Sequence, residues 1–262
     1  MAVQNVFSRR EVKYLITEKQ RELMLAAMQG RMQPDEYGKS TICSIYYDTP
    51  DRLLIRRSIE SPRYKEKLRL RSYGTAKPGD TVYAEIKKKY KGIVYKRRAG
   101  MELHAAEKWL AGGGHPPEPD APFARAQIMR EIDFFLARYK NLAPAMFISG
   151  EREAFYALDD REFRITFDER ILWRDFDLTL DRGIYGEPLL RDGYYLMELK
   201  AGGALPMWVC RILSEQHIFK ASFSKYGNAY RETAFDAATG KFKFIGAEHA
   251  AEYLLRGETE HV

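Results

Sequence analysis

The feature that most constrains this chain is an alternation that recurs along it. In "KLRLRS" (67–72) the cations Lys67, Arg69 and Arg71 take turns with Leu68 and Leu70. Successive side chains of a strand point to opposite faces, so the cations share one face and the leucines the other. The same parity sets Arg9, Glu11 and Lys13 against Val12 and Tyr14, and Glu85, Lys87 and Lys89 against Ala84 and Ile86. It places Lys96 with Arg98, Glu198 with Lys200, and Arg164, Thr166, Asp168 and Arg170 together, while Ile165, Phe167, Met197 and Leu199 fall on the other side. Six segments therefore repeat one design, a charged face backed by an apolar face.

A single segment of this kind is an ordinary half-buried strand with its charges in water. Six of them leave two arrangements. Either the apolar faces meet in a sandwich, or the charged faces line the lumen of a barrel and helices cover its apolar exterior. A solvated face would mix cations and anions as cross-strand pairs, whereas here cations dominate and a few carboxylates recur. Amphipathic helices are also frequent, which the tunnel arrangement requires. The predicted fold is α+β: an eight-stranded antiparallel β tunnel (barrel) with helices packed on its outside.

Period-2 patterning and turn residues place the strands at 6–16, 40–49, 64–74, 80–90, 92–101, 144–158, 162–176 and 193–202. The Asp159-Asp160 turn joins two of them as a hairpin. Helical spacing predicts helices at 17–30, with Thr17 as N-cap and Leu23, Met24, Ala27 and Met28 on one face, and at 105–112, 122–139 and 206–216. A further short helix at 222–232 is expected to break at Gly227. The tunnel domain is expected over 1–235, followed by a weakly helical or frayed tail over 236–262.

Composition bounds the function. The 262 residues carry 43 basic and 37 acidic side chains, a formal charge of +6, which favours anionic partners without making the chain a polycation. Cys43 and Cys210 are far apart and outside any metal spacing, as in a reducing compartment. The first residues hold no apolar signal core, and no apolar run approaches the ~18 residues of a membrane span, so a cytoplasmic location is expected. Gly38-Lys39-Ser40 is not a P-loop, because Gln33 stands where the earlier glycine is needed. The basic faces carry glutamates rather than stacking aromatics, which argues against nucleic acid as partner.

The segments "RREVKYLI", "KLRLRSYG", "YAEIKKK", "VYKRRAGM", "REAF", "FRITFD", "MELK" and "FSKYG" occur in this order. Together, over roughly residues 6–232, they resemble the catalytic domain of the vacuolar transporter chaperone (VTC) polyphosphate polymerases, within the triphosphate tunnel (CYTH-like) superfamily. The resemblance implies a tunnel that binds ATP or another triphosphate and inorganic polyphosphate. It also implies a divalent metal, Mn²⁺ or Mg²⁺, and transfer of the γ-phosphoryl group of ATP to a growing polyphosphate chain. It places Lys13, Arg69, Arg71, Lys87, Lys96, Arg152 and Arg164 on the catalytic, phosphate-binding cations and Lys225 near the tunnel mouth. Arg9, Arg98 and Lys200 join them as phosphate-binding candidates by parity. Glu198 falls on the metal-binding glutamate, with Glu11 and Glu85 as further metal or lysine-orienting candidates. The superfamily signature Glu-x-Glu-x-Lys reads Arg9-x-Glu11-x-Lys13 here, a departure shared with the polymerase branch, and Ser222 stands where the polymerases carry a second lysine. A non-catalytic polyphosphate- or nucleotide-binding module and a metal-dependent triphosphatase are the alternatives. A membrane-bound partner is compatible with the resemblance, although the chain has no span of its own.

Overall fold

The computed structural model describes residues 10–60, 62–91, 93–236 and 241–242. Eight long strands form one curled antiparallel sheet. In chain order they are β1 (Arg10–Thr17), β3 (Ser40–Asp48), β4 (Tyr64–Tyr73), β5 (Thr81–Tyr90), β6 (Ile93–Glu102), β7 (Ala143–Ala157), β8 (Arg164–Arg174) and β10 (Tyr194–Ala201). Across the sheet they run β1-β10-β8-β7-β3-β4-β5-β6, with the short β2 (Met32–Pro34) on β7 and β9 (Glu187–Pro188) on β8. The expected barrel is thus a sheet whose last seam, between β1 and β6, is not closed by strand pairing. Side chains and a passing segment bridge it instead. Lys87 of β5 reaches Glu11 of β1 at 3.6 Å, and the backbone N–H of Ala221 donates to the Lys13 carbonyl at the free edge of β1.

Among the described residues six α-helices accompany the sheet: α1 (Glu18–Met28), α2 (Leu53–Ile59), α3 (Leu103–Lys108), α4 (Phe123–Arg138), α5 (Met207–Glu215) and α6 (Lys225–Ala234). Thr17 caps α1 as predicted. Its hydroxyl accepts from the Gln20 N–H, and the Gln20 side chain accepts from the Thr17 N–H. Met24 and Met28 are buried, but Leu23 faces outward, so the apolar stripe is narrower than expected. Helix α3 and α4 pack over the outer face of β4, β5 and β6, where Leu68, Leu70, Ala84, Ile86, Trp109, Ile132 and Phe135 form one core. Helices α1 and α5 cover the outer face of β1, β8 and β10 with Tyr14, Ile16, Ile165, Phe167, Met197 and Leu199. The apolar face of "KLRLRS" therefore packs outward under helices, and its cations turn inward.

A third apolar cluster fills one end of the lumen. Leu196, Ile148, Met146, Ile171 and Tyr46 meet Phe223, Tyr226 and Tyr230 from the α6 region and Ile55 from α2. Asp48 pins this end. Its carboxylate accepts from the N–H groups of Leu54 and Ile55 at the start of α2, at 2.9 and 3.0 Å, and from the Tyr226 hydroxyl at 2.9 Å.

Several expectations are corrected. Helix α2 is not among the helices expected from the spacing; Asp48 supplies the cap that its own first residues lack. Helix α6 runs through Gly227 instead of breaking there, because a Cβ at that position would come within 3.1 Å of Ser224 and glycine avoids the clash. Arg170 does not share the face of Arg164 and Asp168. Its φ of +46° bulges β8, and its side chain turns out to Glu151. The described residues of the expected tail, 236 and 241–242, take part in a short antiparallel pair, Phe235–Asp236 with Lys241–Phe242. The helical stretch expected in "AEHAAEYLLRG" lies outside the described residues.

Outside the lumen, Arg174 is 1% exposed and organises the loop after β8. Its guanidinium donates to the carbonyls of Asp177, Thr179, Gly183 and Tyr185 and lies 3.6 Å from the Phe147 ring centroid. Replacing it leaves several carbonyls without a donor. Arg174→Met is expected to lower unfolding free energy by on the order of 3 kcal/mol in urea titration. Arg174→Lys, with a point charge instead of a fork, is expected to recover little of it.

Candidate functional site

The inward face is built by register. Lys13 lies opposite Glu198, and Glu11 opposite Lys200. Glu198 faces Thr166, and Lys200 faces Arg164. Arg152 lies opposite Asp168. On the other half, Arg69 is opposite both Tyr46 and Glu85, and Arg98 is opposite Glu85. Three pairings set lysine against lysine: Lys65 with Lys89, Lys67 with Lys87, and Lys87 with Lys96. Like charges directly opposite each other destabilise a sheet. Lys89, on the same face as Glu85 and Lys87 by parity, lies opposite Lys65 at the exposed end of β5.

Three buried carboxylates hold most of these cations. Glu85, 1% exposed, accepts from Arg69 Nε at 2.7 Å and lies 2.8 Å from Lys96 Nζ and 3.8 Å from Arg71. Burial alone would raise its pKa, but Arg69, Arg71 and Lys96 outweigh that and bring it down to about 2. Asp168, also 1% exposed, takes a two-pronged bond from Arg152 at 2.5 and 2.6 Å and another from Lys225 at 2.6 Å. It too falls to about 2, with Lys225 and Arg152 overcoming the cost of burial. Glu198 lies 3.1 Å from Lys13, 3.6 Å from Arg152 and 3.7 Å from Lys200. Glu11 sits 3.8 Å from Lys13, so that ammonium lies between two carboxylates.

The cations outnumber the carboxylates, and burial tells on those with the least compensation. Lys67 has no carboxylate partner among the described residues; its amine donates to Ser224 Oγ at 3.1 Å, and burial, with Lys65 and Lys87 adding to it, brings its pKa down to about 8. Among the described residues Arg71 is held by Ser44 Oγ at 3.4 Å and by Glu85 at 3.8 Å. Its pKa falls to about 10 through burial and the neighbouring Arg69. Arg71 is therefore less engaged than Arg69 or Arg152, each of which is tied to a carboxylate at hydrogen-bond distance.

Lys13, Arg69, Arg71, Lys87, Lys96, Arg152, Lys200 and Lys225 are brought to this network, with Glu11, Glu85 and Glu198. Arg98 stacks over Tyr83, its guanidinium carbon 4.8 Å from the ring centroid. Arg164 has inward parity but is exposed at the end of β8, donating only to the Arg161 carbonyl. Arg9 lies outside the described residues. Glu85 stands apart from Glu11 and Glu198, locked to its own cations, and among the described residues no three His, Cys, Asp or Glu side chains gather as a metal cluster. Asp168, Lys67 and Tyr46 were not singled out as site residues. Asp168 and Lys67 carried the parity signal; Tyr46 carried none, because an aromatic in a β-rich segment reads as core.

The VTC domain family model matches residues 8–233, and the chain belongs to that family. A comparison with curated proteins returned no match. Among solved structures, a candidate adenylate cyclase from Vibrio parahaemolyticus aligns with TM-score 0.44 and 14% identity over 87% of this chain and 99% of that one. A candidate adenylate cyclase from Bacillus halodurans gives 0.48 and 13% over 84% and 94%. A candidate adenylyl cyclase from Hippeastrum, described as having a dominant triphosphatase activity, gives 0.48 and 14% over 88% and 99%. The family assignment rests on the family model. No helix among the described residues is long and apolar enough to cross a membrane.

The depressed carboxylates set an acid limit. An acid whose pKa is lower folded than unfolded stabilises the fold above its unfolded value, near 4, and that stability is lost as pH falls through the folded value. For Glu85 and Asp168 the window is about pH 4 to 2. Denaturant titrations should show stability falling across it. Asp168→Asn should be less stable at pH 7 and lose less between pH 4 and 2. A wild type equally stable at pH 5 and pH 2.5 would contradict this.

Proposed function

We propose that this chain is a metal-dependent enzyme of the triphosphate tunnel type that transfers the γ-phosphoryl group of ATP to the end of an inorganic polyphosphate chain. The observation that supports it most is the convergence of Lys67, Arg69, Arg71, Lys87 and Arg152 on one lumen, in excess of its carboxylates, in a member of the VTC domain family. Facing lysines that repel one another are relieved by a polyanion. Phosphoryl transfer asks mainly for positioning and charge stabilisation.

In this reading Arg71, Arg69 and Arg152 hold non-bridging phosphate oxygens through guanidinium donors. Glu85 and Asp168 fix two of those guanidiniums in place. Lys13, Lys67, Lys87 and Lys200 supply positive potential along the chain, and Arg164, Arg98 and Lys96 do so toward its exposed ends. A terminal oxygen of the acceptor forms a bond to the γ-phosphorus, the bond to the β,γ-bridging oxygen breaks, and ADP leaves with that electron pair. The acceptor oxygen is already anionic, so no side chain need remove a proton. Glu198 and Glu11 fit a divalent ion, since both carboxylates already flank one cationic centre at Lys13 Nζ. Mg²⁺ and Mn²⁺ bind through one or two carboxylates together with substrate phosphates. Such an ion would neutralise charge on the phosphate oxygens. Glu85 does not fit that role while Arg69 and Lys96 occupy it.

Incubation with ATP and Mn²⁺ or Mg²⁺ is expected to yield ADP and long-chain polyphosphate, resolved on a gel. ADP and phosphate without polymer would replace this reading with a triphosphatase, and tight polyphosphate binding without turnover would replace it with a binding module. Glu198→Gln is expected to cut turnover about 100-fold or more, and Arg71→Ala to weaken tripolyphosphate binding with a shallower salt dependence.

A further inference from the structure

Tyr46 projects from β3 into the cationic face, opposite Arg69 in register. It is 8% exposed. Arg69 Nη1 donates to its hydroxyl at 3.2 Å, while the other side of that guanidinium is tied to Glu85. Tyr226 of α6 stacks on the Tyr46 ring, centroids 4.7 Å apart and planes 22° from parallel. The Lys67 ammonium lies 5.9 Å from the centroid of Tyr226. The phenol is thus clamped on a dry wall and cannot swing away from its neighbours. Those neighbours are Lys67, Arg69 and Arg71 of β4 and Lys13 of β1. Glu85 of β5 lies behind Arg69, β7 presents Met146, and the Tyr226 hydroxyl is bound to Asp48.

We propose that Tyr46 is an internal anionic ligand of the Lys67, Arg69 and Arg71 cluster, and that a polyphosphate entering the lumen takes over its charge, so that binding is accompanied by uptake of a proton on the Tyr46 oxygen. The proposal rests on the lumen's being a polyphosphate site. Without polyanion, the phenolate offsets part of the surplus positive charge and holds Arg69 by its free nitrogen. When phosphate oxygens approach the same cations, they oppose a second anion beside them, and the phenolate returns to phenol. One O–H bond forms with a solvent proton and no other bond changes. Tyr46 acts through Arg69, as a positioning residue.

The electrostatics agree. Burial by itself would push the phenol up, but Arg69, Lys67 and Arg71 outweigh it and bring Tyr46 down to about 7, against ~10 for an ordinary tyrosine. At pH 7.5 much of the Tyr46 population would then be ionised before binding.

Tyr46→Phe keeps the ring and its stacking and removes only the ionisable oxygen. Absorbance at 295 nm, titrated from pH 5.5 to 8, below the range in which ordinary tyrosines ionise, should show one tyrosine ionising near pH 7 in the wild type and none in the variant. Adding tripolyphosphate at pH 7.5 should abolish that signal. Calorimetry of tripolyphosphate binding in buffers of different ionisation heat should show the wild type taking up more protons, up to one, than Tyr46→Phe. Equal proton uptake by the two proteins, or no tyrosinate signal below pH 8 in the wild type, overturns the assignment. If tripolyphosphate binds neither protein, the polyphosphate reading of the lumen fails, and the assignment fails with it. The wild-type absorbance titration stands even if the variant does not fold.

Discussion

Repulsion among lysines and arginines that share one face of a pleated sheet is the force around which this molecule is arranged. Lys67 faces Lys87, Lys87 faces Lys96, and Lys65 faces Lys89 across neighbouring strands. A slip of one residue would relieve those contacts, but it would also turn Leu68, Leu70, Ala84 and Ile86 from the helix-covered side into the lumen. Burial of that apolar face under α3 and α4 therefore holds the cations where they repel. Glu85, Asp168 and Glu198 make the arrangement tolerable, each shared among several cations. They neutralise it only in part.

The same arrangement prepares the lumen for an anion. Arg69 and Arg152 are already oriented by carboxylates, so under the proposed function little reorganisation would remain when phosphate oxygens approach. Interactions there are strengthened by partial burial. The far end of the lumen has a different character. Asp48 ties α2 to α6, and Phe223, Tyr226 and Tyr230 close over Leu196, Ile148 and Met146. Lys225 and Ser224 stand at the boundary between the two regions, bound to Asp168 and Lys67.

Much of this was legible because strand parity is a local property. "KLRLRS" alone could not say which face was buried. Six segments with the same parity, joined to a surplus of amphipathic helices, could, and the long strands fall within a few residues of their expected limits. What escaped the sequence depends on contacts between distant positions. Helix α2 is capped by Asp48, five residues before its first residue, and Tyr226, nearly 180 residues further on, shares that carboxylate. Arg170 departs from parity because of a backbone bulge that composition does not announce. Asp168 has the inward parity of its neighbours, but only the pairing of β7 with β8 sets it against Arg152. Tyr46 looks like any core aromatic until Arg69 is seen opposite it. The two glutamates that flank Lys13 come together through the β1–β10 register, whereas Glu85, similar to them in sequence, is taken up by a different set of cations.

Where a polyphosphate sits on this chain decides between a lumen site and an outer one. A structure of the chain with tripolyphosphate tests this most directly. The account predicts phosphorus positions inside the curled sheet, with phosphate oxygens in hydrogen-bond reach of Arg71, Arg69 and Arg152 and the anion stopping short of Phe223 and Tyr226. An anion bound on the helix-covered outer face, or none in the lumen at saturating concentration, would contradict it.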